Sequence, residues 1–495
     1  MEQNTKKGHP KALYTLFATE MWERFSYYGM RALLTLYLTA ELVNGGFGLN
    51  REESLAIYGI FTGLVYLTPI LGGWVADKFL GKRKTVYIGG LVMAVGQFLL
   101  AASAFLAHSL EPSTRLFLFN FGLGVLIIGN GFFKPNISTI VGDFYDDNDP
   151  RKDSAFNIFY MGINLGAILG PFIAGTLGEK VDWGWGYFAA GVGMILGVLW
   201  MKARENTLED KGLPPGVTGS QVLSAKDWQQ IIMYAVGLIA ATLLVMTIWH
   251  ALPDSITKII TIVGFAAGII GLGYIIFKGT NGADEWSRMI VILVLAFFNI
   301  AFWAGFEQAG GTFNLFAKDN TDRMIGGWEI PASFFQNINP FAILVLAPLF
   351  SVLWLKLDKM KLNPRTPVKF ALGLFLGALA FFVMTQASNL AATGIKVSPM
   401  WLVAVYIILT LGELMLSPIG LSMITKLAPT KLVSVVMGLW MASFAAGNYF
   451  AAMLESILHK FDLPLYPFLM WVMLGSGVML LILSPLLNKA MKGIH

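Results

Sequence analysis

The sequence predicts an all-α integral membrane protein of fourteen transmembrane helices, two six-helix bundles with a two-helix hairpin inserted between them. Three observations carry this. The 495 residues are 56% hydrophobic and 13% charged, too apolar for a soluble chain of several domains. Fourteen apolar runs approach the ~20 residues needed to cross the hydrocarbon; they fall near 15–39, 55–76, 84–107, 115–141, 154–178, 185–201, 229–250, 256–277, 288–311, 333–355, 367–387, 400–424, 432–455 and 465–488. After the sixth, residues 202–228 form the most polar stretch, with Glu205, Glu209, Asp210, Pro214, Pro215 and the pair Gly219-Ser220, and read as a linker.

The first run differs from the others. It contains Glu20-Met-Trp-Glu23-Arg24-Phe-Ser-Tyr27-Tyr28-Gly-Met-Arg31. At about 100° per residue, Glu20, Glu23, Arg24, Tyr27 and Arg31 share one face with Tyr28 beside them, while Trp22 and Phe25 take the other. Ionisable side chains inside a membrane helix are functional by default, and lipid cannot accept such a stripe. The polar start of the chain, with Lys6, Lys7 and Lys11, lacks a small-residue cleavage site after the first apolar run, so that run is expected to be retained.

The runs at 229–250 and 256–277 hold almost no mid-span polar residue beyond Thr242 and Thr247 and read as a lipid-facing hairpin. The expected domains are thus residues 1–201, a linker at 202–228, a hairpin at 229–278 and a second bundle at 285–495. Of the 35 Lys and Arg, with those near a span end counted in the adjoining loop, 24 fall on the side of the termini, 8 on the other and 3 (Arg24, Arg31 and Lys134) deep within spans, which puts both termini in the cytoplasm. With no cysteine, disulfides and thiolate chemistry are excluded. The net charge of +5 follows from topology, and no basic cluster argues for nucleic acid. Gly73-Trp-Val-Ala-Asp77-Lys78-Phe-Leu-Gly81-Lys82-Arg83-Lys84, after the second run, resembles the cytoplasmic loop signature of the major facilitator superfamily. In such folds the substrate site lies between the halves near the midplane.

Depth pairs the charges within the spans. At 1.5 Å per residue, Arg24 lies about 15 Å in and Lys134 about 11 Å, with Glu20 and Glu23 at similar depth. Arg31 at about 25 Å matches Glu307 at about 28 Å, while Glu413, at about 20 Å, has no basic partner at its own position and is available to a ligand cation. Asn164 and Asn339 are amides inside apolar runs. Such residues also serve simply to hold helices together, as Asn339 beside Pro340 and Ser417 beside Pro418 can. His9, His108, His250, His459 and His495 all fall at termini or span ends, which leaves proton work to carboxylates.

These residues match a family. Glu20-x-x-Glu23-Arg24-Phe25-x-Tyr27-Tyr28-Gly29 resembles in full the first-helix signature of the proton-coupled oligopeptide transporters. Phe159-Tyr160-x-x-Ile163-Asn164-x-Gly166 resembles their fifth-helix signature, and Gly412-Glu413-Leu414-x-x-Ser417-Pro418-x-Gly420 their tenth. The surroundings of Lys134, Trp303, Glu307 and Asn339 are similar to the family's as well. The hairpin looks like that of the bacterial members. The short loop from Asn389 to Pro399 leaves no room for the large extracellular domain of animal members.

The resemblance implies an importer of di- and tripeptides, and of peptide mimetics such as β-lactams, in a bacterial inner membrane. It implies that Arg24, Arg31 and Lys134 take the peptide carboxylate, that Glu413, Asn164 and Asn339 take its amino terminus, and that Tyr27, Tyr28, Tyr66, Trp303, Ser417 and Trp440 line the pocket. A guanidinium offers a carboxylate two parallel bonds. Proton coupling is expected to use Glu20, Glu23, Lys134 and Glu307: a basic neighbour lowers a carboxylate's proton affinity and desolvation raises it, so making or breaking the Glu23–Lys134 or Arg31–Glu307 pair switches it. Protonated Glu307 would release Arg31 to the substrate. The proton gradient supplies the energy, with no cofactor, and the protein is expected to act as a monomer in the bilayer. Two alternatives stand beside this. A carrier of nitrate on the same fold would have no use for an acidic wall at Glu413, and a polytopic transferase would need a metal cluster, phosphate loop or Ser/His/Asp set that the chain lacks.

Overall fold

In hydrocarbon an unbonded amide has no water to turn to, so an apolar run closes its hydrogen bonds within itself as helix. The computed structural model describes residues 8–492 apart from 147, 148, 150, 215, 218–221 and 430, and it is helical almost throughout. Lys6, Lys7, Pro215, Gly219, Ser220 and His495 lie outside the described residues. In order, the helices are α1 (Lys11–Thr39), α2 (Arg51–Val75), α3 (Lys82–Phe105), α4 (Pro112–Gly142), α5 (Lys152–Gly170), α6 (Thr176–Lys180), α7 (Trp183–Ala203), α8 (Ala225–Ala251), α9 (Asp254–Gly279), α10 (Gly282–Phe306), α11 (Thr312–Asp319), α12 (Ile338–Lys359), α13 (Thr366–Ala391), α14 (Met400–Leu427), α15 (Val433–His459) and α16 (Leu465–Ala490). Strands β1 (Met324–Ile325) and β2 (Trp328–Glu329) pair antiparallel between α11 and α12.

Among the described residues, twelve helical stretches are long and apolar enough to cross a membrane. α1 and α9, at 29 and 26 residues, have the length for two more; in α1 the mid-helix charges lower the hydropathy. Each expected span therefore has a helix. The largest departure is at 288–311, where α10 stops at Phe306, a 3-10 turn covers Glu307–Ala309, and α11 restarts at Thr312. The adjacent Gly310 and Gly311 explain the break, since each glycine costs a helix interior ~1 kcal/mol relative to alanine.

Contacts divide the chain into two units, Met1–Asn50 with Leu67–Met246, and Arg51–Tyr66 with Thr247–His495. In the first, α1 runs between α5 and α7. Lipid supplies no hydrophobic drive for helix pairing, so close backbone approach at small residues supplies it instead. A Cβ on Gly166 would stand 2.8 Å from the Cβ of Arg24, and one on Gly170 2.7 Å from the Gly29 nitrogen. The opposite, aromatic face of α1 packs on α7, where Gly193 faces the Phe25 ring and a Cβ on Gly197 would lie 3.0 Å from the Trp22 Cβ. Both faces of α1 are thus covered by protein.

Two arginines hold loops to this unit through main-chain oxygens. Arg115, buried at the start of α4, donates to the carbonyls of Ala107 (3.0 Å), Gly45 (3.1 Å) and Gly46 (2.6 Å) and lies 4.4 Å over the Phe47 ring. Arg115→Met leaves three carbonyls without their donor. It is expected to destabilise the protein by about 3 kcal/mol, read as earlier melting in detergent; an unchanged melting point would show the bonds to be dispensable. Arg83 is fully buried and donates to the carbonyls of Lys211 (2.5 Å), Leu208 (2.6 Å) and Glu209. Its neighbours extend the tie: Lys82 grips both oxygens of Asp143 (3.0 and 2.8 Å), and Lys84 meets Asp227 (2.6 Å) and Gln230 (3.2 Å) of α8. Trp228 sits between the Tyr87 ring and the Lys202 ammonium. α8 is therefore anchored at its start, while most of its apolar length is exposed.

In the second unit, α10, α13, α14, α15 and α16 close around Leu295, Phe302, Phe370, Leu416, Trp440 and Leu480. The first half of α2 joins them: Arg51 pairs with Glu455 at 2.6 Å, and Gly59 admits Ala452.

Candidate functional site

In the first unit the polar stripe of α1 is buried, with Glu23 at 0% exposure. A charge taken out of water at that depth survives only if paired. Arg24 meets Glu20 at 3.0 Å and also pairs with Glu23. Asn130 of α4 donates to the second Glu23 oxygen at 3.0 Å, and Lys134, one turn further on, exerts its field on both carboxylates. Glu20, Glu23 and Arg24, all buried, form with the half-buried Lys134 a quartet that sums to zero charge when all are ionised. One added proton leaves it at +1.

The phenols stand along the same face. The Arg24 guanidinium lies 5.5 Å over the Tyr27 ring and that of Arg31 5.9 Å over Tyr28, with the two rings edge to face at 5.3 Å. Asn164, on α5, is buried and donates to the carbonyl of Tyr160 on its own helix at 2.9 Å.

In the second unit Glu307 occupies the break after α10. The Tyr58 hydroxyl donates to it at 3.4 Å, and Gln308 pins the break by donating to the carbonyls of Ala304 (3.1 Å) and Ala451 (2.8 Å) while accepting from Thr312 (2.8 Å). Asn339, in the first turn of α12, donates to Glu413 at 2.8 Å and to Thr410 at 3.0 Å. Those two predicted residues, 74 positions apart, form one cluster. One turn along α14, the buried Ser417 Oγ has no hydrogen-bond partner among the described residues.

The aromatic residues gather on Phe444 of α15. It stacks on Tyr66 (6.0 Å, 16°), lies 4.6 Å from Trp303 and 6.2 Å from Trp440. Trp440 itself is fully enclosed, its ring against Gly420 and 6.1 Å from Phe370. Asn130, Tyr58, Thr410 and Phe444 are not among the residues expected from the sequence. Three carried a usable signal: Asn130 is four residues before Lys134, Phe444 four after Trp440, and Thr410 three before Glu413, spacings that share a helix face. Tyr58 had none, because its partner is remote in sequence.

The profile of the POT family matches residues 83–469. The chain is 37% identical to the peptide transporter YePEPT of Yersinia enterocolitica subsp. palearctica, over 97% of this chain and 95% of that protein. It is 34% identical to a di-/tripeptide transporter of Lactococcus lactis subsp. cremoris, over 100% of this chain and 99% of that one. A crystal structure of peptide transporter POT in complex with sulfate superposes with a TM-score of 0.82 at 36% identity, covering 100% of this chain and 98% of that chain. The fold is that of the major facilitator superfamily.

Proposed function

The chain belongs to the POT family of transporters, and from that premise we propose that it imports di- and tripeptides together with protons by alternating access. The observation that carries the reading is the acid–amide cluster of Glu413 and Asn339. A carboxylate held ready inside a membrane span suits the ammonium end of a zwitterion, whereas a carrier of a simple anion gains nothing from it. Asn164 joins Glu413 and Asn339 at the amino terminus of the peptide, and Arg24, Arg31 and Lys134 receive its carboxylate. Tyr27, Tyr28, Tyr66, Trp303, Ser417 and Trp440 shape the side-chain pockets, whose aromatic walls tolerate varied sequences.

Coupling follows from charge balance. The neutral quartet of Glu20, Glu23, Arg24 and Lys134 becomes a net cation on taking a proton, and an arriving carboxylate cancels the excess. Proton and peptide thereby favour each other's binding, which is the reciprocity any coupling free energy requires. Glu307 contributes in the same way, since its protonation releases the basic group that its charge neutralises. The protein works as a monomer in a bacterial inner membrane, both termini cytoplasmic, driven by the proton gradient without a cofactor. Proteoliposomes with an imposed inward proton gradient should accumulate labelled dialanine, and excess unlabelled trialanine should abolish the signal. No accumulation by folded, inserted protein would overturn the reading and make nitrate the next ligand to test.

A further inference from the structure

A chain of buried hydrogen bonds runs behind Trp303. The indole N–H donates to Asn299 Oδ1 at 3.1 Å, Asn299 Nδ2 donates to Ser443 Oγ at 2.8 Å, and the Ser443 hydroxyl donates to the Trp440 carbonyl at 2.6 Å. Asn299 is 1% exposed and Ser443 4%. The direction of the chain is fixed by chemistry. An indole can only donate, so it must meet the amide oxygen. A serine hydroxyl that spends its proton on a carbonyl must accept from the amide nitrogen. One amide therefore satisfies two helices, α10 through Trp303 and α15 through Ser443.

The ring has few other options. Phe306 lies 4.8 Å from it and Phe444 4.6 Å, and a Cβ on Gly447 would stand 2.6 Å from the Trp303 Cβ. Packing restrains the ring plane, but only Asn299 decides which edge of the indole turns into the protein, because a buried N–H left unpaired is costly. We infer that Asn299, backed by Ser443, is a positioning residue that locks the Trp303 indole and thereby sets which peptide side chains the pocket accepts. This deepens the proposed function and rests on Trp303 lining that pocket. Asn299 and Ser443 touch no substrate; they act through the indole. Neither belongs to the charged groups that carry the proton, so selectivity and coupling separate.

The test compares wild type, Asn299→Ala, Ser443→Ala, Trp303→Phe and the double variant Asn299→Ala/Trp303→Phe in proteoliposomes. The readout is the ratio of KM for Phe-Ala to KM for dialanine, together with the pH profile of uptake. Asn299→Ala and Ser443→Ala should each shift the ratio by about tenfold, the equivalent of one buried hydrogen bond, with kcat for dialanine and the pH profile unchanged. In the Trp303→Phe background, Asn299→Ala should add nothing, the mark of a residue acting through its partner. A second readout is independent of transport. The indole N–H resonance of Trp303, assigned by its loss in Trp303→Phe, should move upfield in Asn299→Ala. An unchanged ratio in both single variants, or an undiminished shift in the Trp303→Phe background, overturns the inference. Wild-type protein that carries no peptide defeats the proposed function instead, and the resonance alone then decides whether the indole is locked.

Discussion

Glu23→Gln and Glu307→Gln are each expected to abolish peptide accumulation against a gradient while leaving exchange of labelled for unlabelled peptide at equilibrium intact. Glutamine keeps the shape of the side chain and removes its charge for good. At position 23 the quartet is then held permanently at +1, the state that otherwise exists only after a proton has arrived. The single amide oxygen still accepts from one of its two donors, Asn130 or Arg24, and Arg24 keeps Glu20 as a partner, so the helices remain in place and peptide still binds. A difference of one pH unit is worth ~1.4 kcal/mol per proton, so wild type should concentrate dialanine up to about tenfold and the variants about onefold. Tenfold accumulation by both variants would move the proton to another group.

Glu413→Gln is expected to raise KM for dialanine by at least about 30-fold, the low end of the ~2–5 kcal/mol lost when one partner of a buried charged pair is removed. Its geometry makes the effect selective. Asn339 turns one donor to Glu413 and shares itself with Thr410, so the cluster is preorganised and its neutral version should keep its shape. The loss should therefore vanish for N-acetyl-dialanine, which brings no ammonium group and is expected to bind both proteins equally weakly. Competition against labelled dialanine measures both quantities. Equal affinities of wild type and Glu413→Gln for dialanine would remove the carboxylate from the amino-terminal subsite.

Much of this was legible in the sequence because it was periodic. The stripe on α1 follows from turn geometry alone, and the spans follow from length. Glu413 and Asn339 were each visible as polar residues in apolar runs, yet only the family resemblance put them at one subsite, because nothing in either run names the other. The break at Glu307 was hidden for a different reason. Gly310 and Gly311 are common in membrane helices, and an apolar window averages over them. Arg83 and Arg115 were counted as loop charges that report topology, and both proved to be buried ties. Their partners are main-chain oxygens, which every residue has and no residue type signals. Phe444 was one aromatic among 37 phenylalanines; its place four residues after Trp440 was a faint signal, and the arrival of Tyr66, Trp303 and Trp440 at the same ring is what distinguishes it.

The tie made by Arg83 has a bearing on how this chain can change. Because the guanidinium reads the carbonyls of Leu208, Glu209 and Lys211, the tie itself fixes the spacing of that segment rather than its side chains, and the letters are constrained only by the burial of Leu208 and by the positive φ of Glu209 and Gly212. A substitution that keeps this backbone path leaves every oxygen where the arginine expects it. A residue inserted or deleted just before Leu208 shifts the register of all three. The strap is thus written in length more than in sequence, and relatives could share it while showing little similarity there.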